Sequence, residues 1–190
     1  NLSTITLPRG LKRLDSGAFH KCKSLTTIDI PENVETMSGN PFSDCQNLIQ
    51  INIHKSNRHV VEVDGIIFDQ SFQRIIGAAP GIRLEEFSIP NTVLELAEYC
   101  FCGLAALRHV NMPDSVLSMG DGAFMDCENL ETISIPAGVT RIEDAMFARC
   151  SALRSVIFQG AVTFLGDTTF ADCSRLSSIR IPDTVEVIGQ

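Results

Sequence analysis

The sequence holds no tryptophan and a single tyrosine, Tyr99, yet eleven phenylalanines in 190 residues. So lopsided an aromatic set points to one template used repeatedly. Basic residues are in deficit: 15 Lys and Arg stand against 23 Asp and Glu, for a formal net charge of −8. A surface of that sign repels phosphate backbones and anionic lipid, which argues against nucleic acid and membrane surfaces as partners. No apolar run approaches the roughly 18 to 20 residues of a membrane-spanning helix, so no membrane insertion is expected. No secretory leader is visible, and this says nothing about location, because the pattern described below is already running at Leu2 and breaks off at Gln190. The chain is therefore expected to be a piece of a longer array. Phosphate-cradling glycine loops, nucleophile elbows and HExxH motifs are missing as well. With none of the common catalytic signatures, an enzyme is not expected, and neither is a cofactor.

What is present is a 23-residue period. Leucines mark the start of eight units at Leu2, Leu25, Leu48, Leu84, Leu107, Leu130, Leu153 and Leu176. Only the unit from Leu48 to Arg83 breaks the spacing, running 36 residues. Counted from each leucine, offsets three and five are apolar throughout, as in Ile28 and Ile30 or Ile133 and Ile135. Offset six is proline in six of the eight units, with His54 and Gln159 as the exceptions. Offset nine is valine or leucine outside the long unit, and offset seventeen is phenylalanine: Phe19, Phe42, Phe101, Phe124, Phe147 and Phe170. Offset twenty carries Cys22, Cys45, Cys127, Cys150 and Cys173, with Leu104 in the Leu84 unit.

The spacing within a unit predicts its shape. Apolar residues at offsets three and five alternate with polar ones at two and four, the period of a half-buried strand such as Thr132-Ile133-Ser134-Ile135. The proline that follows cannot donate to a ladder and turns the chain. A short extended piece, Val139 to Ile142, then crosses the far side and leads into a single helical turn such as Asp144-Ala145-Met146-Phe147, capped by its acid. One coil cannot bury its own apolar face, but stacked coils share a continuous core. With parallel strands about 4.8 Å apart, eight coils give a slab roughly 35 to 40 Å long. The expected architecture is an α/β repeat solenoid over 1–190: a right-handed superhelix with a parallel sheet on the concave face and short strands and helical turns opposite.

The unit LxxIxIPxxVxxIxxxxFxxCxxL, written here as Leu130 to Leu153, resembles the BspA-type leucine-rich repeats, and the match runs through essentially the whole chain. The long unit fits too: Val63-Asp64-Gly65-Ile66-Ile67-Phe68, then Ile75-Ile76 and Pro80-Gly81, is similar to a hairpin that interrupts many such arrays. The resemblance implies a surface-attached or secreted protein of host-associated bacteria or some protists, acting in adhesion or in binding host and matrix proteins. It places this chain outside the cell or on its surface.

Repeat geometry makes equal offsets neighbours in space, so candidate sites can be checked along rows. The ladder cysteines are expected to be small buried residues with weak S–H donors to backbone. Stacked thiols point the same way, poor geometry for disulfides. Zinc is the sharper alternative, with Cys100 and Cys102 nearby, but CxC lacks the usual spacer and no CxxC or HxxxH partner exists. Glu98, Asp121, Asp144 and Asp167 form a row at offset fourteen. Each is expected to cap its own turn; calcium is the alternative. His54 and His59 lie near Glu62 and Asp64, where a weak metal site competes with an ordinary loop surface. Glu86, His109 and Thr132 imitate a catalytic triad in one row, but an open strand face offers no pocket or oxyanion donors. No metal site is expected.

That leaves surfaces for binding a protein. The concave strands present Gln50, Asn52, Glu86, Ser88, His109, Asn111, Thr132 and Ser134, rich in amides and hydroxyls and without aromatic platforms. The long unit offers Arg58, His59, Phe72 and Arg74, since solenoid loops often carry specificity. Against this, its run of isoleucines predicts a hairpin packed into the solenoid. Two functions remain open: a protein-binding or adhesion module, and a structural spacer with no ligand of its own.

Overall fold

The computed structural model describes residues 2–190. In chain order the strands are β1 (Arg13–Leu14), β2 (Thr27–Ile30), β3 (Thr36–Met37), β4 (Gln50–Ile53), β5 (Val60–Val63), β6 (Ile66–Asp69), β7 (Arg74–Ala78) and β8 (Glu86–Ser88). They continue with β9 (Glu95–Leu96), β10 (His109–Asn111), β11 (Ser118–Met119), β12 (Thr132–Ile135), β13 (Arg141–Ile142), β14 (Ser155–Phe158), β15 (Phe164–Leu165) and β16 (Val187–Ile188).

Parallel pairing in steps of 23 residues builds two walls. On the inner wall Glu86, His109, Thr132 and Ser155 are successive register partners, as are Thr27 and Gln50. On the second wall two-residue strands repeat, with Arg141 opposite Phe164 and Phe164 opposite Val187. Between the walls the repeat's apolar offsets stack. Phe101, Phe124, Phe147 and Phe170 lie 5.3 to 5.8 Å apart, centroid to centroid, and Phe101, Phe124 and Phe147 are fully buried. Four of the five ladder thiols donate to the carbonyl of the preceding coil's phenylalanine: Cys45 to Phe19, Cys127 to Phe101, Cys150 to Phe124 and Cys173 to Phe147, at 3.0 to 3.2 Å. All seven cysteines are free.

The structure corrects the expected α/β class: the described residues contain no helix, and the convex side is built of turns. The reason is where the N–H groups go. A helical turn directs every N–H back along its own axis. Here alternate N–H groups of one coil donate to the next: Ala145 to Asp167 O, Phe147 to Thr169 O and Arg149 to Ala171 O, at 2.7 to 3.0 Å. Such a path needs left-handed residues at two places in the turn. They occur at Tyr99, Gly122, Ala145 and Thr168, with φ of 52° to 57°, and again at Asp126, Arg149 and Asp172, near 60°.

The acids at offset fourteen are likewise reassigned. The three aspartates each cap the next coil, not their own: Asp121 Oδ1 accepts from Asp144 N at 3.2 Å, Asp144 Oδ1 from Asp167 N at 2.8 Å, and Asp167 Oδ1 from Gln190 N at 2.9 Å, whereas the Glu98 carboxylate makes no such bond among the described residues.

The long unit is a transverse wall. Asp64 and Gly65, with φ of 52° and 83°, form the tight turn that joins β5 to β6, and β6 pairs antiparallel with β7. β7 then takes the long unit's place in the second wall, pairing in parallel with β9. The side chains of this hairpin alternate between two cores. Val60, Ile67 and Ile76 pack with the N-terminal coils, while Ile66, Phe68 and Ile75 pack with the C-terminal ones. On the convex side the long unit withdraws, so that Gly39 bridges directly to Glu98 and Asn40 N donates to Glu98 O at 3.0 Å. The convex turns therefore skip a coil that both strand walls retain, and the inner sheet divides into β2-β4 and β8-β10-β12-β14.

Candidate functional site

Strand alternation positions the concave residues: offsets three and five turn into the core, so offsets two and four must face out. β8, β10, β12 and β14 bring Glu86, His109, Asn111, Thr132, Ser134 and Ile157 around an open trough of about 420 Å³, floored by Val110 and Ile133. Glu86, His109 and Thr132 do lie in one register row. Among the described residues no hydrogen bond links their side chains, and all three line the trough. Asn111 Nδ2 donates to Ser88 Oγ at 2.9 Å, which orients the amide along the trough wall. Ile157, 56% exposed, supplies the apolar element. Its signal in the sequence was an aliphatic residue at an offset that is otherwise polar or charged.

Gln50 and Asn52 belong to the other inner sheet and do not join this trough. Gln50 Nε2 donates to Asn52 Oδ1 at 2.9 Å, and Asn52 Nδ2 to Asp29 Oδ1 at 2.7 Å. Asp29, Asn52 and His54 line a second hollow of about 710 Å³ that reaches Ile5 and Arg9.

The long-unit residues scatter. Arg58 and His59 are exposed beside Glu32, Asn33 and Ser56. Phe72 packs against Phe68, ring centroids 5.1 Å apart, at the edge of the larger core. Arg74 is occupied internally: Nε bonds Glu95 at 2.8 Å while the terminal nitrogens donate to the carbonyls of Met37 and Ser38. It ties β7 to the coil before it.

Two residues that sequence reasoning passed over hold the junctions of the transverse wall. Asn40 is fully buried; its Oδ1 accepts from Phe42 N at 3.0 Å and its Nδ2 donates to Ala78 O and Cys100 O at 3.1 and 3.4 Å. Asn57 accepts from the N–H groups of His59 and Val60 and donates to Pro31 O and Val34 O. It occupies the long unit's offset nine, valine or leucine in the other coils, and that substitution was the available signal.

The thiols are chemically quiet. Burial pushes Cys45 up to about 11 and Cys102 to about 12, and Cys100, Cys127 and Cys150 higher still. Among the described residues no group of three or more His, Cys, Asp or Glu side chains is arranged to hold a metal ion.

Stacked coils, phenylalanine and cysteine ladders and an exposed parallel strand face define a leucine-rich-repeat solenoid. The BspA type leucine rich repeat region matches in six copies over residues 1–73 and 80–190, and the chain belongs to that family. Among solved structures, a leucine-rich repeat protein from Eubacterium ventriosum superposes with a TM-score of 0.77 at 23% identity, over 90% of this chain and 49% of its own. A leucine rich cell surface protein from Faecalibacterium prausnitzii reaches 0.71 at 29% identity, over 92% and 52%. The pneumococcal vaccine antigen PcpA reaches 0.71 at 20%, over 93% and 53%. The chain spans about half the length of these proteins. No curated protein matches its sequence.

Proposed function

We propose that the chain is a protein-interaction module of a cell-surface or secreted bacterial protein, serving adhesion, and that a partner protein seats in the concave trough. The observation that carries this reading is the trough itself: Glu86, His109, Asn111, Thr132 and Ser134 around the exposed side chain of Ile157. A protein surface of this make-up anchors one aliphatic contact within a rim of hydrogen-bonding groups. Gln50, Asn52 and Ser88 extend the same face, and Arg58 and His59 are the long unit's exposed contribution. The cell-surface description of the F. prausnitzii relative supports the location.

The test is capture of this chain on immobilised host extracellular-matrix proteins at physiological salt. Ile157→Glu and His109→Ala should each cut retention about tenfold or more, the loss of one central contact. Unchanged retention in both variants would remove the trough from the interface. Failure to bind any matrix protein would favour the spacer.

A further inference from the structure

The inner wall contains a break that the trough does not use. β8 ends one inner sheet and β4 ends the other, and no strand among the described residues joins them. Toward β10, β8 uses the backbone of Glu85 and Ile89. Glu85 O accepts the N–H groups of Arg108 and His109 at 2.8 and 3.2 Å, and Ile89 N donates to Asn111 O at 3.1 Å. In a parallel ladder alternate residues bond to opposite sides. Glu86 and Ser88 therefore aim their N–H and C=O groups at β4, as the equivalent His109 and Asn111 aim theirs at β8. No strand receives them among the described residues.

Two further observations mark that side as open. Leu84 and Phe87 are only partly buried, whereas Leu107, Leu130 and Ile133 at the same offsets are 0 to 2% exposed. Glu85 and Glu86 are exposed beside it; neither forms a direct ion pair among the described residues, and the cation that acts on both is Arg108, whose guanidinium is bonded to Glu131. An unpaired strand edge accepts an extended polypeptide that continues the ladder. An apolar seat at Leu84 and Phe87 beside two exposed carboxylates without a bonded cation selects a segment that alternates apolar and basic residues.

We infer that the free edge of β8 is a strand-addition site for an extended, basic-apolar segment of a partner polypeptide. The site differs from the trough: it binds through the backbone of Glu86 and Ser88, and it stands where the inner sheet divides at the long unit.

The test uses fluorescein-labelled decapeptides on the whole chain, read by anisotropy, with amide exchange of β8 followed by NMR. The probes are alternating Lys-Val, alternating Glu-Val, and the Lys-Val peptide N-methylated at every second residue. In the free protein the Glu86 and Ser88 amides should exchange about tenfold faster than Phe87 and Ile89, and the Lys-Val peptide should slow them. N-methylation, the Glu-Val sequence, and Ser88→Pro in the protein should each weaken binding about tenfold or more, the loss of one net backbone bond or of charge pairing. Should Ser88→Pro fail to fold, the N-methylated peptide still decides. Equal binding of the N-methylated peptide, no binding of Lys-Val, or slow exchange of Glu86 and Ser88 in the free protein would each overturn the site. None of these outcomes touches the trough, which is read by the Ile157 and His109 variants.

Discussion

The carboxylate of Asp144 accepts the backbone N–H of Asp167, one coil further on, at 2.8 Å. This single contact separates two explanations of the acidic row. A calcium site needs carboxylate oxygens turned toward one another around a shared point. Here each Oδ1 is committed to a donor in the next coil, so the row is a chain of caps that fastens coil to coil.

If that is its work, Asp144→Ala should cost about 1 kcal/mol, the usual value of a lost capping side chain, and Asp144→Asn distinctly less. Urea unfolding measures both. Melts in excess calcium and in chelator should coincide; a shift of several degrees would restore the metal.

Two aspartates should make stability depend on pH in opposite senses. At Asp69 burial raises the pKa, but hydrogen bonds from the Ser71 side chain and from the N–H groups of Arg74, Gln73 and Ser71 outweigh it and hold the carboxyl below its ordinary value. Its stabilisation is complete above the unfolded pKa, about 3.9, and is lost as pH falls through the lower folded value. At Asp121 burial again raises the pKa, the N–H of Asp144 opposes this, and the charges of Asp144 and Glu143 push it further up, for a net rise. The native state thus holds that proton more tightly than the unfolded chain, so this group weakens the fold as pH rises through its folded value. Asp69→Asn should lower the urea midpoint at pH 7, with the deficit shrinking in acid. Asp121→Asn, which keeps an oxygen acceptor, should leave the midpoint unchanged or raise it. Deficits of equal size in both variants at pH 7 would contradict the assignment.

Much of this molecule was legible because a stacked repeat leaves an inward position little choice. Phe124 must match Phe101 and Phe147, and Val139 must match Val116 and Val162, so composition by offset names the core. The convex turns were not legible. Asp144-Ala145-Met146-Phe147 has good local helix formers, and only the hydrogen bonds to the next coil hold Ala145 and Thr168 in the left-handed region. The concave face was half legible: alternation put Gln50 and Glu86 on the same side of the sheet. That they stand on separate sheets follows from how the hairpin fills the long unit, a packing result with no local sequence mark.

The left-handed positions give a further test. Thr168 has φ of 53° and an exposed side chain, so a glycine there relieves backbone strain without removing a packed group. Thr168→Gly should stabilise by up to about 1 kcal/mol, the greater freedom of unfolded glycine offsetting part of the relief. A loss of more than about 1 kcal/mol would show that the turn is not strained.

The ladder thiols should be masked in the native state. Cys22 is partly exposed and the other six are buried with their pKa values raised wherever a shift is resolved. Native titration with a disulfide reagent should label Cys22 quickly and the rest slowly; in denaturant all seven should react. Labelling of Cys127 at the rate of Cys22 would mean that the central coils open far more readily than their packing implies.

The junction at Asn40 supplies the sharpest stability prediction. Its amide satisfies Phe42 N, Ala78 O and Cys100 O, three backbone groups left over where coils of different length meet. No second side chain is in place to take over, and the site is fully buried, so water cannot substitute without opening the wall. Asn40→Ala strands those groups at about 1 to 3 kcal/mol each before relaxation, and a net loss of about 3 kcal/mol or more is expected. Asn40→Asp should be no better near neutral pH, because a carboxylate accepts from Phe42 but faces two carbonyls with nothing to donate. Since the hairpin couples two otherwise separate cores, the damage should be local to that coupling: urea unfolding of Asn40→Ala should split into two transitions, as nearest-neighbour stacking requires when one interface fails. A single cooperative transition at the wild-type midpoint would show that the two cores hold together without Asn40.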